Sequence, residues 1–265
     1  MKLFNTVFIL LLTSLALPLR AGEEFCGARN KAFLAGETIT YKVYYTLAGV
    51  YVAAGEAVFN TSLEQVNNRP VYHITGDGKT YSFYDNFFRV RDKYETFIDT
   101  ATMQPLKFLR NVDEGGYKTY ENVTFNKAIN TAITMKGVFK VPSCVQDVMS
   151  SIYYARNIDF SKLKVDDKIP FDLFLDNQIY NIYIRYLGKE IIKTKYGKFR
   201  AIKFKPLLIK GTIFEGGEKM IVYVSDDGNH IPLRVESPIT VGSIKVDMMN
   251  FENRRYPLSS LMDVN

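Results

Sequence analysis

With 265 residues, 47% of them hydrophobic and 23% charged, the chain is an ordinary globular polypeptide long enough to bury a substantial core. Its formal charge of +6 is spread along the sequence without any long basic block, which leaves no footprint for nucleic-acid binding. His73 and His230 are the only histidines, and neither stands at ligand spacing from the other or from a cysteine, so neither a metal site nor a cofactor is expected.

At the N-terminus, Lys2 precedes a short apolar run, Leu3 to Leu17, which Pro18 breaks before the small residue Ala21. Such a segment reads as a secretory signal peptide over residues 1–21, too short and wrongly flanked for a membrane span. Cys26 follows Glu24-Phe25 and so lacks the small residues that lipid attachment requires. The expectation is a periplasmic or secreted protein, not lipidated, with no transmembrane segment in its mature chain. That compartment permits oxidation, so Cys26 and Cys144, the only cysteines, can pair; two buried free thiols are the alternative. Closing so long a loop would stabilise the fold by roughly 4 to 5 kcal/mol on the chain-entropy account.

Beyond the leader, tyrosine, phenylalanine, valine and isoleucine dominate and turn signals recur at short intervals, the pattern of strands joined by hairpins. Ile39 to Tyr45 alternates, as do Val71 to Thr75 and Phe88 to Ile98. Further runs fall at Tyr117 to Phe125, Ile179 to Leu187, Phe199 to Phe204, Met220 to Val224 and Ile244 to Phe251. Asp113-Glu114-Gly115-Gly116 and Glu215-Gly216-Gly217-Glu218 look like hairpin tips. One segment departs from this pattern: Ser143 and Gln146 form a capping-box pair, and Val145, Val148, Met149 and Ile152 follow at helical spacing. A single amphipathic helix is therefore expected near 144–156, followed by a charged connector from Asp159 to Lys168.

The two flanks of that helix share a signature. Asp99, Pro105, Leu106 and Gly115 recur at one constant offset as Asp226, Pro232, Leu233 and Gly242. Proline tolerates the first position of a strand but not its hydrogen-bonded centre, so each copy describes a strand, a turn and a new strand. The fold class expected is all-β and mainly antiparallel, with one amphipathic helix. Its architecture is either a curved sheet or half-barrel, or two similar β modules over 22–158 and 159–265, which could also form one continuous domain.

Several runs resemble a bacterial exported family known as the domain of unknown function 3108 family. They are Ala35-Gly36-Glu37 with Tyr41-Lys42-Val43-Tyr44-Tyr45; Tyr84-Asp85 leading to Val90-Arg91-Asp92; Asp147-Val148-Met149-Ser150-Ser151 before Tyr153-Tyr154-Ala155-Arg156; Gly188-Lys189-Glu190; and Ser225-Asp226-Asp227 leading to Ile231-Pro232-Leu233. Tyr223 stands where the family would carry tryptophan, a residue this chain lacks. The resemblance implies a fold and a compartment but no catalytic residues. The strand, aspartate, turn and Pro-Leu element is also similar to that of curved half-barrel periplasmic proteins that carry lipoproteins, an analogy of fold alone.

Catalytic chemistry finds little support. No serine sits in a Gly-x-Ser-x-Gly elbow, and Gly76-Asp77-Gly78-Lys79-Thr80 has His73 where a phosphate loop needs its first glycine. Paired carboxylates could serve a glycosidase, and Asp92 is the notable acid, because alternation places it with Phe88, Val90, Tyr94 and Ile98 on the apolar face. There it must find a partner, such as Arg110 or Arg185, or accept a raised pKa. The aromatic run Tyr81, Phe83, Tyr84, Phe87 and Phe88 could line a cup for an acyl chain or sugar, or simply fill the core. These readings favour a non-enzymatic envelope protein whose aromatic residues, with Asp92, bind a lipid or other amphipathic ligand in a cavity beneath the helix. A structural or assembly module contacting another envelope protein is the second reading, and a carbohydrate-active enzyme the third.

Overall fold

The computed structural model describes residues 27–47, 50–210, 216–239 and 242–264. The expected signal peptide and Cys26 lie outside the described residues, as does Glu215. Fifteen strands account for most of the described chain. The first eight are β1 (Thr38–Leu47), β2 (Val50–Val66), β3 (Arg69–Thr80), β4 (Val90–Asp99), β5 (Pro105–Glu114), β6 (Tyr117–Asn126), β7 (Thr131–Thr134) and β8 (Gly137–Lys140). After helix α1 (Val148–Ala155) come β9 (Lys168–Leu175), β10 (Gln178–Lys193), β11 (Gly197–Pro206), β12 (Ile221–Ser225), β13 (Pro232–Pro238), β14 (Ser243–Glu252) and β15 (Leu261–Val264).

All strands belong to one antiparallel sheet ordered β8-β7-β6-β5-β4-β3-β2-β1-β14-β13-β12-β11-β10-β9, with β15 pairing β11. Two meanders thus meet where β1 pairs β14. The sheet curls around α1. Ile74, Ile98, Phe108 and Val123 from one half, and Phe171, Ile184, Ile202 and Val224 from the other, share a single core with Met149, Tyr153 and Tyr154 of the helix. At Gly76 a Cβ would stand 3.0 Å from the Met149 methyl, so the missing side chain is what lets the helix lie directly on β3. The ground beneath the helix is filled: Tyr153 meets Phe33 edge to face at 4.9 Å, and both are buried. The sheet stays open as a half-barrel. Between its two edge strands the chain at Gln146 forms one parallel bridge to Leu173, and the β9–β10 tip reaches across to β5 through an Arg110–Asp176 ion pair.

The helix begins later than its sequence pattern suggests. Residues up to Gln146 bind β9 instead, with Gln146 N donating to Asp172 O and Phe174 N to Gln146 O, both at 2.9 Å. Asp147, not Ser143, is the N-cap; its carboxylate accepts from Ser150 N at 2.8 Å while Ser150 Oγ accepts from Asp147 N at 2.9 Å. Burial raises the Asp147 carboxyl to about 6 despite these hydrogen bonds. Pro105 and Pro232 each open a strand, as their chemistry requires.

On the face turned away from α1, directly opposed residues make a polar rung across ten neighbouring strands. From β11 to β6 it runs Lys203, Tyr223, Arg234, Asp247, Lys42, Glu56, Lys79, Arg91, Asp113 and Lys118. Arg234 holds Asp247 at 2.5 Å and Lys79 holds Glu56 at 3.0 Å. Lys203 Nζ lies 5.4 Å from the centre of the Tyr223 ring, the position where tryptophan would be expected. Apart from Lys79 opposite Arg91 and the two steps at the buried Tyr223, the rung sets opposite charges face to face across strands, which favours this register.

Candidate functional site

The aromatic residues singled out by sequence come together at one end of the half-barrel, but on its lip and not within it. Tyr81 to Arg89 joins β3 to β4 through a single 3-10 turn at Ser82–Tyr84. Phe83 is 73% exposed and Phe87 79%, values that exclude a core-filling role for either ring. Phe83 packs against Tyr84 edge to face at 5.1 Å, and Phe88 lies over Gly115 at the β5–β6 tip. A Cβ on Gly115 would fall 2.3 Å from the Phe88 ring, and φ there is +58°, so glycine meets both a steric and a backbone demand.

Polar contacts staple the base of this loop. Arg91 binds Asp85 through both terminal nitrogens, at 3.1 and 2.6 Å, and Thr80 Oγ1 donates to Asp85 at 2.7 Å. Hydrogen bonds from Arg91 and then Thr80 hold the Asp85 carboxyl below its ordinary range. Phe87 N and Phe88 N both donate to Tyr84 O at 2.9 Å. The phenylalanines are thus presented by an ordered turn whose conformational cost is already met in the free protein. Between this loop and the β5–β6 tip lies a shallow opening of about 350 Å³, walled by Phe87, Phe88, Arg89 and Lys118 with Asp85 and Asp113. Arg89 and Lys118 approach Asp113 only at 3.7 and 3.8 Å, and their side chains are 54% and 72% exposed, so both cations remain available to solvent.

Asp92 lies on the inner face as alternation requires, yet neither expected arginine reaches it. Arg110 is taken by Glu121 and Asp176, and Arg185 by Glu218 and Asp166. The partner of Asp92 is a second acid, Glu114, which stands beside it because β5 pairs β4 with Val90 opposite Glu114. Burial first, then the charge and hydrogen bond of Glu114, push Asp92 up to about 7, so Asp92 keeps its proton until close to neutrality. In direct contact, they leave no span for a glycosidic bond between them, whereas a glycosidase holds its acids roughly 5 to 10 Å apart. Glu114 was legible only as part of a hairpin tip; its pairing depends on a register that no local pattern discloses.

Both histidines have structural partners. His73 bridges Glu64 at 2.7 Å and Glu95 at 3.0 Å and stacks on Phe97, while His230 Nδ1 lies 2.7 Å from Arg156 O, where burial lowers its pKa. Among the described residues, no three His, Cys, Asp or Glu side chains are grouped to hold a metal ion, and no helix is long and apolar enough to cross a membrane.

A second polar centre sits beneath the sheet, far from the lip in sequence. Arg156, at the end of α1, pairs with Glu37 through two bonds of 2.5 and 2.8 Å and donates to Asn229 O at 3.1 Å, all fully buried. Asp227 organises the adjoining turn by accepting from Asn229 N at 3.0 Å and Ser260 Oγ at 2.6 Å.

The family profile described as "Protein of unknown function (DUF3108)" matches residues 40–249. Among curated proteins none matches the chain. Among solved structures, the chain is similar to a β-barrel-like protein of the domain of unknown function DUF1849 from Brucella abortus. That similarity has a TM-score of 0.54 and 9% identity, covering 85% of this chain and 100% of that one, and it shows the fold alone. An inferred exported protein with a YmcC-like fold from Bacteroides fragilis is matched at TM-score 0.34 and 12% identity, over 85% of this chain and 99% of that one. An inferred lipoprotein of Parabacteroides distasonis is matched at 0.36 and 13%, over 86% and 99%; neither of these two carries an argument.

Proposed function

Because the chain belongs to the DUF3108 family of proteins of unknown function, we propose a role from its surface chemistry: an exported, non-enzymatic β scaffold that binds an amphipathic ligand at its aromatic lip. The observation that carries this reading is the exposure of Phe83 and Phe87 on a stapled turn beside a filled interior. Rings held in water by an ordered loop represent apolar area that only a partner can remove, at about 25 cal/mol per Å². Tyr84 and Phe88 brace these rings, Tyr84 edge to face with Phe83 and Phe88 over Gly115. We read export from the sequence of residues 1–21, and that compartment permits Cys26 and Cys144, the only two cysteines of the sequence, to pair.

The chain lacks tryptophan, so Phe83→Trp creates a single fluorophore on the lip. Titration with a lysophospholipid below its micellar concentration should shift its emission to the blue and saturate. An unshifted spectrum both in this titration and with lipid vesicles overturns the reading. The assembly alternative draws on a separate surface: Ile133 and Val138, opposed on β7 and β8, are 43% and 66% exposed with Met135 at 73% beside them, an apolar patch at a sheet edge suited to a protein partner.

A further inference from the structure

The lip does not end in rings alone. Arg89 leaves the same loop, Lys118 rises from the β5–β6 tip beside it, and Lys79, next to last in β3, and Arg91, second in β4, continue the outer rung directly below. Three of these four cations have exposed side chains, Lys79 at 57%, Arg89 at 54% and Lys118 at 72%, while Arg91 is committed to Asp85. Phe83 and Phe87 are the most exposed rings of the loop, and Arg89 and Lys118 border the opening beside Phe87 and Phe88. Exposed rings next to basic side chains match the interface of a bilayer, where rings enter the acyl boundary and Lys or Arg meets the head groups. An acyl chain bound singly would need a closed apolar trough. The opening beside Phe87 and Phe88 is shallow and half walled by charged side chains, which suits a surface and not an enclosed chain.

We propose that the lip docks the protein on an anionic bilayer surface, with Phe83 and Phe87 entering the interface and Arg89 and Lys118 binding anionic head groups. This inference rests on the proposed lip function and adds its partner, a membrane face bearing negative charge. Tyr51, 58% exposed at the start of β2, extends the same end of the sheet, and Lys245 lies 4.2 Å from its ring centre. Charge complementarity selects the partner: a zwitterionic surface would leave Arg89 and Lys118 without the counter-charge that Asp113, at 3.7 and 3.8 Å, supplies only weakly. Each basic residue at an anionic surface contributes about 1 kcal/mol, or roughly fivefold in partition, and the contribution fades within a Debye length as salt rises.

The test uses full-length processed protein carrying Phe87→Trp and sedimented vesicles of phosphatidylcholine alone or with phosphatidylglycerol. Expected are a blue shift and co-sedimentation on the phosphatidylglycerol vesicles, weakened by high salt. Arg89→Ser with Lys118→Ser should lower that partition by roughly twentyfold, and Phe83→Ser with Phe87→Ser, measured by sedimentation, by at least roughly tenfold. Equal binding to both vesicle types, or no loss in the Arg89 and Lys118 variant, overturns the anionic-surface inference while leaving lip binding intact. Lysophospholipid binding without vesicle binding does the same, whereas absence of both sinks the underlying reading as well. Retention by an envelope protein with no vesicle binding assigns the lip to assembly and rejects the membrane.

Discussion

Two regions of this molecule set guanidinium groups beside aromatic rings, and they do so to opposite ends. Under the helix, Arg156 stands 5.3 Å from the Phe33 ring and 5.2 Å from that of Tyr153, entirely buried, with both carboxylate oxygens of Glu37 spent on it. At the lip, Arg89 lies in solvent near Phe87 and Phe88 with only a distant carboxylate. The runs by which the chain resembles its family divide between these regions unequally. Glu37, Tyr153-Tyr154-Ala155-Arg156 and Asp227 build the buried junction, and Asp85 with Arg91 staples the lip, whereas Phe83 and Phe87 belong to no such run. Those runs therefore build the scaffold and the base of its lip, and the two exposed rings lie outside them.

Breaking the junction should have the largest effect. Arg156→Ala leaves the buried Glu37 side chain without its partner, and removing one member of a buried pair costs about 3 to 5 kcal/mol, which urea denaturation would register as a large fall in midpoint. Replacing both members, Glu37→Gln with Arg156→Met, should recover much of that loss because no orphan charge remains. A loss below about 1 kcal/mol in the single variant would show that water reaches the pair, and the contrast with the lip would collapse.

A smaller effect belongs to the acid pair between the two regions. Asp92 holds its proton more tightly in the folded chain than in the unfolded one, since burial and Glu114 raise it to about 7. Its contribution is therefore complete below about pH 4 and is lost as pH climbs toward 7. Asp92→Asn should remove this slope, gaining on the order of 1 kcal/mol over the parent at pH 8 after allowance for partial solvent screening, and little at pH 4. Parallel stability curves across that range would mean that the two carboxyls do not interact.

Much of the scaffold was legible from local pattern, and the failures have physical causes. Alternation located β4, β6 and β14 to within a few residues, and it placed Asp92 on the inner face correctly. β2 escaped because Ala53-Ala54-Gly55 interrupts its alternation where the register shifts against β1. The helix start was misplaced because Gln146, which the local pattern assigns to the helix, instead exchanges backbone hydrogen bonds with β9, a tertiary contact outweighing a local preference. At the candidate site the sequence supplied the rings but neither their exposure nor their cations. Arg89 and Lys118 are distant in sequence, and only the β4–β5–β6 register brings Lys118 opposite Asp113 beneath that loop.

The smallest expected change is the most discriminating for the comparison. Phe83→Ser with Phe87→Ser removes two rings that are already in water, so folding stability should stay within about 0.5 kcal/mol of the parent. Phe88→Ser is the internal control, because that ring covers Gly115 and joins the loop to the next hairpin; its loss should cost on the order of 1 kcal/mol. Thermal denaturation of the three proteins side by side decides the matter. If the double variant melted as early as Phe88→Ser, the exposed rings would be bracing the loop, and their position in water would reflect structure instead of recognition.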